Sequence, residues 1–361
     1  ELMPRQALHA SSITFKHPMA EGKDGISVKN EKIAVMPPKD VIIPFGKNTM
    51  PSPDDPNTLI AATDGLAKLK DKKIIEVDPV YEIKGHVDFS TGNVKFIGSV
   101  KIKGDVKSGF KVEADGPVEV DGVVEDATII SGGNVIVKLG FIGRGNGKIV
   151  SKGSVYLKYC DNQKIYAEKD VIVSEHIING YIRAGEKVIV AGKSGVITGG
   201  EIIALHGIEV KNLGSKQHIK TLIYLGITEE FKDKYNETLK EIIKGKENLT
   251  HIEEGINIII KIKLLKKGLS KEKEELLEKL TNAKELILTQ QKNLLSKRKK
   301  LLDDMKSYKH AYLKVFHIVF PNVRIYIFNR KYINQYEISK VMFQYSDKEV
   351  VYKPLEEKPA K

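Results

Sequence analysis

The stretch VKFIGSVKIKGDVKSGFKVEADGPVEVDGVV, residues 94–124, decides the fold because its apolar residues recur every six positions. In one frame the repeat has nine consecutive members, which are Val94, Val100, Val106, Val112, Val118, Val124, Ile130, Ile136 and Ile142. Alternating triplets such as Val118-Glu-Val120 predict short strands. The six-residue pattern returns further along the chain, at Ile149, Val155, Val171, Ile177, Val190, Val196, Ile202 and Ile208.

A longer period overlies the six-residue one. The triplets open at Val100, Val118, Val135, Val155, Val171, Val188 and Ile208, with steps of 18, 17, 20, 16, 17 and 20. Three sixes make one eighteen, which predicts a three-sided parallel β-helix whose turns bury their apolar side chains by stacking. The period alone leaves the handedness open, because left-handed hexapeptide helices have the same repeat of about eighteen residues.

Two long stretches rich in Lys, Glu and Leu follow, from Glu229 to about Lys266 and from Ser270 to about Tyr312. In the second, an apolar or aromatic residue recurs every seven positions, at Leu280, Ile287, Leu294, Leu301 and Tyr308, which predicts a coiled-coil seam. Leu277 and Met305 support this seam, whereas Lys284, Gln291 and Arg298 weaken it. The break at residues 267–270, with Ser270 as a helix N-cap, predicts an antiparallel hairpin.

These patterns predict a mainly β protein with an α insertion and four regions. Residues 1–75 form an irregular or β N-terminal cap, 76–226 the β-helix, 227–312 the coiled-coil hairpin, and 313–361 a C-terminal β segment that packs back on the solenoid. Within the last region, residues 315–320, 323–328 and 350–352 are predicted strands. Because the chain opens on Glu1, we expect a longer N-terminal region to precede the cap.

The net charge of +12 lies mainly in the C-terminal 40% of the chain, since residues 1–225 carry 30 Lys and Arg against 27 Asp and Glu. Only six of the 59 basic residues are Arg, the side chain on which base readout depends most. The densest basic run is Lys297, Arg298, Lys299 and Lys300. It is a candidate partner-binding surface, and nucleic-acid binding through the basic hairpin is an alternative function.

Several stretches resemble phosphate-binding or membrane-spanning motifs but lack residues that those motifs require. A phosphate-binding loop over Gly143–Lys148 would need a glycine at Ile142 and a hydroxyl at Ile149, so we interpret this run as a solenoid corner. The Gly-Lys-Ser at residues 192–194 lacks the first glycine of that motif, because Lys187 stands there. No uncharged apolar run reaches the length of a membrane span, since Lys261 and Lys263 interrupt residues 256–265.

The histidines show no HExxH and no paired spacing with Cys160, so the sequence predicts no catalytic, cofactor or metal site. The single cysteine excludes a disulfide framework. His86, His176 and His206 are expected at the surface or at corners. A hexapeptide-type acyltransferase is an alternative, because its period fits and because His176 or His206 could serve as its catalytic histidine.

A series of strings resembles the flagellar assembly protein A (FapA) family. They are Gly46–Thr49, Leu59–Gly65, Val77–Val80, Gly85-His-Val-Asp-Phe-Ser-Thr-Gly-Asn93, Ser108-Gly-Phe110, Val124–Ala127, Gly192-Lys-Ser-Gly-Val-Ile-Thr-Gly-Gly200 and Leu213–Ser215. The residues that we single out as structural motif positions are Gly85, Asp88, Gly92, Asn93, Gly109, Phe110, Gly195, Gly199 and Gly200. His86 departs from the family pattern, which has Asp there.

The resemblance implies a right-handed solenoid akin to the C-terminal domain of the division inhibitor MinC and to bactofilins. It also implies no accepted catalytic motif, a cytoplasmic location at the cell pole, and flagellar or polar protein partners. Some relatives bind a sugar phosphotransferase component. We therefore expect a non-enzymatic scaffold of flagellar assembly or placement that acts through protein contacts and forms homo-oligomers.

Overall fold

Short strands are the commonest element of this computed structural model, which describes residues 6–17, 22–36, 43, 45–71, 74–227, 229–266 and 268–355. The N-terminal strands are β1 Gln6–Ala7, β2 Ser12–Phe15, β3 Gly25–Ile26, β4 Lys32–Ile33, β5 Thr49–Pro51, β6 Thr58–Ala61, β7 Gly65–Lys70 and β8 Ile74–Asp78. They pair antiparallel in three small sheets: β1-β7-β8, β2-β6-β5 and β3-β4. Several prolines of the predicted cap, Pro37, Pro38 and Pro44 among them, lie outside the described residues.

About eight turns of β-solenoid follow over residues 80–225. Their strands are β9 Val80–Ile83, β10 Val94–Phe96, β11 Ser99–Ile102, β12 Lys111–Ala114, β13 Val118–Val120, β14 Val124–Glu125, β15 Thr128–Ser131, β16 Val135–Ile142, β17 Lys148–Ser151, β18 Val155–Asp161, β19 Lys164–Ala167, β20 Val171–Ile178, β21 Tyr181–Ala184, β22 Lys187–Val190, β23 Val196–Thr198, β24 Glu201–Ala204, β25 Gly207–Leu213 and β26 Thr221–Leu225. The chain forms two units, residues 1–184 with 189–196, and residues 185–188 with 197–361.

In the first unit the solenoid has three rows of buried apolar residues, one for each side of the turn. The first row runs through β10, β12, β15, β17, β19 and β21 as Val94, Val112, Ile129, Ile149, Ile165 and Ile182. The second runs through β11, β13, β16, β18 and β20 as Val100, Val118, Val135, Val155 and Val171. The third is Val87, Val106, Val124, Phe141, Cys160 and Ile177. The triplet openings predicted from sequence within this unit are therefore confirmed, and the predicted three sides with them, whereas the handedness stays a prediction.

The nine-member frame that begins at Val94 is wrong for its last three members. Ile129, Val135 and Phe141 are buried in place of Ile130, Ile136 and Ile142, and Ile136 is 39% exposed. The cause is a shorter turn, because Val112 pairs with Ile129 after 17 residues rather than 18. One residue fewer exchanges the inward and outward sides of a strand.

In the second unit the strands that follow the helices extend the solenoid beyond β25 and β26. They are β27 Tyr312–Val319, β28 Val323–Ile327, β29 Arg330–Ile333, β30 Ile338–Ser346 and β31 Glu349–Pro354. β27 pairs parallel with β25, and β28 pairs parallel with β26, after which β29, β30 and β31 add antiparallel. β27 and β28 therefore form a further turn of the solenoid, and β29, β30 and β31 form an antiparallel end. Of these strands, β29 and β30 were not predicted from the sequence.

The two helices are inserted between β26 and β27. They are α1 Glu229–Lys266 and α2 Lys271–Tyr308, so α2 ends four residues before the predicted position, where the chain turns into β27. Ser270 lies at the N-cap with an extended backbone, but its side chain makes no capping hydrogen bond. Its carbonyl oxygen instead accepts the N–H groups of Lys273 and Glu274.

Candidate functional sites

The first candidate is the turn between β9 and β10, which we name the Phe89 corner, residues 85–93. The Asp88 carboxylate accepts hydrogen bonds from the Ser90 N–H and hydroxyl, at 2.8 and 2.6 Å. The Gly92 N–H donates to the Asp88 carbonyl oxygen, and Gly92 takes the left-handed φ of +70° that glycine tolerates best. These contacts hold Phe89 in the solvent, where it is 97% exposed.

The next turn of the solenoid supports this corner. The Asn93 side-chain oxygen accepts the N–H of Lys111 at 2.8 Å, and the Phe110 ring meets the Phe89 ring edge-on at 5.1 Å. Gly109 has a φ of +85° in the turn before Phe110. Six of the motif positions therefore lie at one corner, although no atom within 4 Å of Gly85 would oppose a side chain there. An aromatic ring on a rigid turn is a candidate anchor for a protein partner.

The glycine-rich run at residues 143–147 wraps around Asp126. The Asp126 carboxylate accepts hydrogen bonds from the backbone N–H of Arg144 at 2.8 Å and of Asn146 at 3.1 Å, and from Gln163 Nε2 at 2.6 Å. Burial opposes ionisation, but the hydrogen bonds outweigh it and lower the pKa of Asp126. Backbone N–H groups of this kind bind phosphate in other proteins. Here the chain's own carboxylate accepts them, which agrees with the corner predicted from sequence.

The second glycine-rich run also directs its hydroxyls into the fold. The Ser194 hydroxyl donates to the carbonyl oxygen of Glu175 at 3.0 Å. In the other unit, the Thr198 hydroxyl donates to the Gly214 carbonyl oxygen, and the Gly199 N–H donates to the Thr221 hydroxyl. The remaining motif glycines of this run, Gly195, Gly199 and Gly200, have φ values of 53°, 68° and 72°.

Two of the solenoid histidines contact carboxylates on neighbouring turns. Nδ1 of His86 accepts the Asp105 N–H at 2.9 Å, and the Asp105 carboxylate lies 3.3 Å from the same nitrogen. His176 Nε2 lies 3.1 Å from Asp161, and the His176 ring stacks on Tyr159 with centroids 5.4 Å apart. Both contacts arise because successive turns of the solenoid stack and bring these side chains next to each other.

His206 stands in a longer chain of side chains. Its Nδ1 lies 3.0 Å from Glu186 Oε2 but forms no hydrogen bond, and its Nε2 lies 3.1 Å from the Ser307 hydroxyl. The order carboxylate, imidazole, hydroxyl is that of a hydrolytic triad. The spacing of these residues along the chain gives no signal of this contact, because 101 positions separate His206 from Ser307.

An acyl-transfer site also needs N–H donors for the developing oxyanion. The backbone N–H groups of Lys309, His310 and Ala311 beside Ser307 already donate to the carbonyl oxygens of the α2 end. The Tyr308 ring lies edge-on to the His206 ring at 5.3 Å and to Phe231 at 5.6 Å. We interpret the His206 contacts as structural, because they join the C-terminal end of α2 to the turn that precedes β25.

Cys160 is fully buried in the third row of the core. Burial raises the pKa of its thiol to about 12, and the neighbouring Asp161 carboxylate adds to this shift. A protonated, inaccessible thiol is a packing residue rather than a nucleophile. In the described part of the chain, no group of three or more His, Cys, Asp or Glu residues is placed to hold a metal ion. The helices of the same described residues include none that is long and apolar enough to cross a membrane.

The hairpin seam follows the heptad predicted for α2. Leu277, Leu280, Ile287, Leu294, Leu301, Met305 and Tyr308 are buried or half-buried, as are the three polar members of the same face. Lys284 pairs with Glu253 of α1 at 2.9 Å, and Gln291, 8% exposed, donates to the carbonyl oxygen of Ile242 at 3.2 Å. Arg298 is half-buried, and its Nε has no hydrogen-bond partner among the described residues. Polar residues within a seam fix its register.

The four basic residues at 297–300 differ in their exposure to solvent. Arg298 occupies a seam position, whereas Lys297, Lys299 and Lys300 are exposed. None of these three lysines forms an ion pair with another described residue. The run therefore presents three free ammonium groups rather than four basic side chains, and its role in partner binding stays a prediction.

Comparison with known proteins agrees with this architecture. The model of the FapA β-solenoid domain matches residues 79–350, and that of the FapA N-terminal region matches residues 11–72. The chain belongs to the flagellar assembly protein A family. No curated protein and no solved structure matches it. The FapA solenoid model extends through the hairpin and into the C-terminal strands, so the inserted helices lie within the matched region.

Proposed function

We propose that this FapA protein is a non-enzymatic scaffold of flagellar assembly that works in the cytoplasm at the flagellated pole. In this proposal the solenoid carries the hairpin, and the hairpin recruits partner proteins. The family name supports the flagellar role. His86, His176 and His206 contact side chains of the fold, and Cys160 is buried, which agrees with a role that does not depend on chemistry.

The observation that carries the proposal is a second apolar row on the hairpin. Leu288, Leu295 and Leu302 recur every seven residues beside the closed seam. Leu288 is 45% exposed, Leu295 is 46% exposed and Leu302 is half-buried. A row at heptad spacing next to a seam is suited to a third helix, from a partner or from a second copy. The Phe89 corner offers a second, separate contact point on the solenoid.

The decisive experiment removes the hairpin and keeps the solenoid. A side chain at Gly226 would approach the Tyr308 carbonyl oxygen to 3.1 Å, so the two ends of the insertion are adjacent. A short Gly-Ser linker can therefore replace residues 228–307. Affinity purification from the native cell, with light-scattering measurement of mass, would compare this variant with the intact chain and with Leu288→Ser/Leu295→Ser.

We expect both variants to lose the flagellar or polar partners and the homo-oligomer of the intact chain. Circular dichroism should show that the solenoid of each variant remains folded. The purified proteins also reveal whether a phosphotransferase component is among the partners, as it is for some relatives. An unchanged partner list for the hairpin-less variant would contradict the proposal.

A second candidate function rests on the three unpaired lysines of the basic run. Nucleic-acid binding through Lys297, Lys299 and Lys300 would fall steeply with salt and would be abolished when all three become Glu. A gel-shift series at low salt measures both effects, and an absence of binding there removes this candidate. The acyltransferase alternative gains no support, because the backbone N–H groups beside Ser307 already donate to carbonyl oxygens of the α2 end.

A further inference from the structure

The end of the hairpin farthest from the solenoid is apolar on more sides than its seam requires. In α1, residues 256–265 contain seven Ile or Leu residues among ten. Ile259 is buried against α2, but the side chains of Ile258, Ile260, Leu264 and Leu265 are between 41% and 84% exposed. Leu276, at the start of α2, adds a further side chain that is 48% exposed.

A helix that is apolar all round is normally covered all round. The seam with α2 uses one stripe of α1, which leaves the other apolar side chains without an apolar environment. At residues 232–241 of α1, in contrast, most of the exposed side chains are charged. The apolar segment is therefore a local feature of the hairpin end and not a general property of the helix.

Basic side chains are interleaved with this apolar surface. Residues 256–275 carry six Lys and three Glu, a net charge of +3, and α1 has no acidic residue after Glu254. Lys261 and Lys263 are exposed among the isoleucines and leucines. Long basic side chains of this kind keep their charge in water while their methylene groups cover apolar surface.

Two occupants could cover this surface, and the charge distinguishes them. A second copy of the same segment would place one net charge of +3 next to another, and this repulsion opposes association. An anionic lipid surface satisfies both features, since its headgroups attract the lysines and its acyl boundary accepts the apolar side chains. The ten-residue segment is about 15 Å long as a helix, which suits an interfacial position and is too short to span a bilayer.

We propose that residues 256–276, the membrane-docking end of the hairpin, bind peripherally to anionic membranes. The apolar side chains enter the headgroup and acyl boundary, and Lys261 and Lys263 contact anionic headgroups. Each helix has 38 residues, so the hairpin is about 57 Å long, and the docking end lies opposite its connections to β26 and β27. This inference goes beyond the recruitment of protein partners and can fail without affecting that proposal.

The test is co-sedimentation of the full chain with vesicles of phosphatidylcholine alone or with about one third phosphatidylglycerol. We expect the chain to bind the mixed vesicles at least about tenfold more tightly than the neutral ones, and more weakly as salt is added. Leu264→Ser/Leu265→Ser and, separately, Lys261→Glu/Lys263→Glu should each weaken binding about tenfold or more. Circular dichroism checks that each variant remains helical.

Two matched controls share the chemistry and lie elsewhere on the chain. Lys244→Glu/Lys246→Glu makes the same charge change with the same spacing on α1, and Ile243→Ser/Tyr336→Ser removes two exposed apolar side chains. Both controls should bind within about twofold of the unaltered chain. The proposal is overturned if the mixed vesicles are not bound, or if the controls lose as much binding as the test variants. It is also overturned if the apolar variant instead converts a dimer to a monomer without changing vesicle binding.

Discussion

Gln291 on α2 donates its buried side-chain amide to the carbonyl oxygen of Ile242 on α1, at 3.2 Å. This contact crosses the hairpin at a position where a leucine would otherwise continue the seam. Gly245, one turn further along α1, leaves the space that the amide occupies, since a side-chain carbon at Gly245 would collide with Gln291 Nε2. The pair therefore selects one register for the two helices.

Gly245→Ala should destabilise the hairpin even though alanine is the better helix former by about 1 kcal/mol. The added methyl displaces the end of the Gln291 side chain, which breaks its hydrogen bond to the Ile242 carbonyl oxygen and leaves a buried amide without that partner, at a cost of about 1–3 kcal/mol. Thermal unfolding followed by circular dichroism measures the change. Because the collision needs both side chains, Gly245→Ala/Gln291→Ala should be more stable than Gly245→Ala alone. Equal stability of the two would show that the pair does not meet in solution.

The parts of the fold that depend on repetition could be predicted from the sequence. Valines at a period near eighteen predict stacked solenoid turns, and the heptad from Leu280 to Tyr308 predicts the helix–helix seam. Both patterns are visible in the sequence because the contacts behind them repeat at a fixed spacing. The six-residue frame failed at Ile136 because one turn of 17 residues reverses side-chain direction, and the step of 17 between the triplets at Val118 and Val135 was the signal of that turn. Strand β29 was missed because its sequence, RKYI, is short and has no apolar alternation.

The candidate sites were predictable only where a motif is local. The Phe89 corner lies within one string, Gly85 to Asn93, and its residues contact one another. The contact between His206 and Ser307 joins residues 101 positions apart through the insertion of the hairpin, which no spacing reveals. Asp126 is similar, because its role depends on Gln163, 37 residues away on another turn.

Asp126→Ala should destabilise the first unit by about 1–3 kcal/mol, because it leaves Gln163 and the N–H groups of Arg144 and Asn146 without their acceptor. The lowered pKa also gives a pH dependence. The stabilising effect is complete well above pH 3.8, the usual value, and is lost as the pH falls through the lower folded-state pKa.

Urea unfolding at pH 7 and at pH 3 measures both effects of Asp126. The difference between the unaltered chain and Asp126→Ala should shrink at the lower pH. Asp115→Asn is the control, because Asp115 is exposed at a neighbouring corner, and it should change stability by less than about 0.5 kcal/mol. A difference that is constant with pH would contradict the assigned role of the ionised carboxylate.

Cys160 should resist thiol reagents in the folded protein. Its thiol is inaccessible, and its pKa of about 12 leaves almost no thiolate at neutral pH. Reaction with 5,5′-dithiobis(2-nitrobenzoic acid), followed by absorbance, should be at least about a thousandfold slower in the native protein than in denaturant. Fast labelling in the absence of denaturant would mean that the third row of the core opens readily.

Phe89→Ser should leave the melting temperature almost unchanged and weaken the binding of a solenoid partner. The ring contacts Phe110 at one edge only, so its removal costs about 0.5–1 kcal/mol of folding stability. An aromatic anchor at an interface contributes about 2 kcal/mol or more, which corresponds to a loss of at least about 30-fold in affinity. Affinity purification with Phe89→Ser and with Tyr336→Ser, another exposed aromatic, separates a specific anchor from general surface apolarity.

The central claim is that the hairpin recruits what flagellar assembly requires, and counting flagella tests it most directly. Cells that lack the native gene would express the intact chain or the chain with residues 228–307 replaced by a linker. Electron microscopy would then score the number and position of flagella at equal protein levels. We predict that the intact chain restores normal flagella and the hairpin-less chain does not. Normal flagella in cells with the hairpin-less chain would contradict the account.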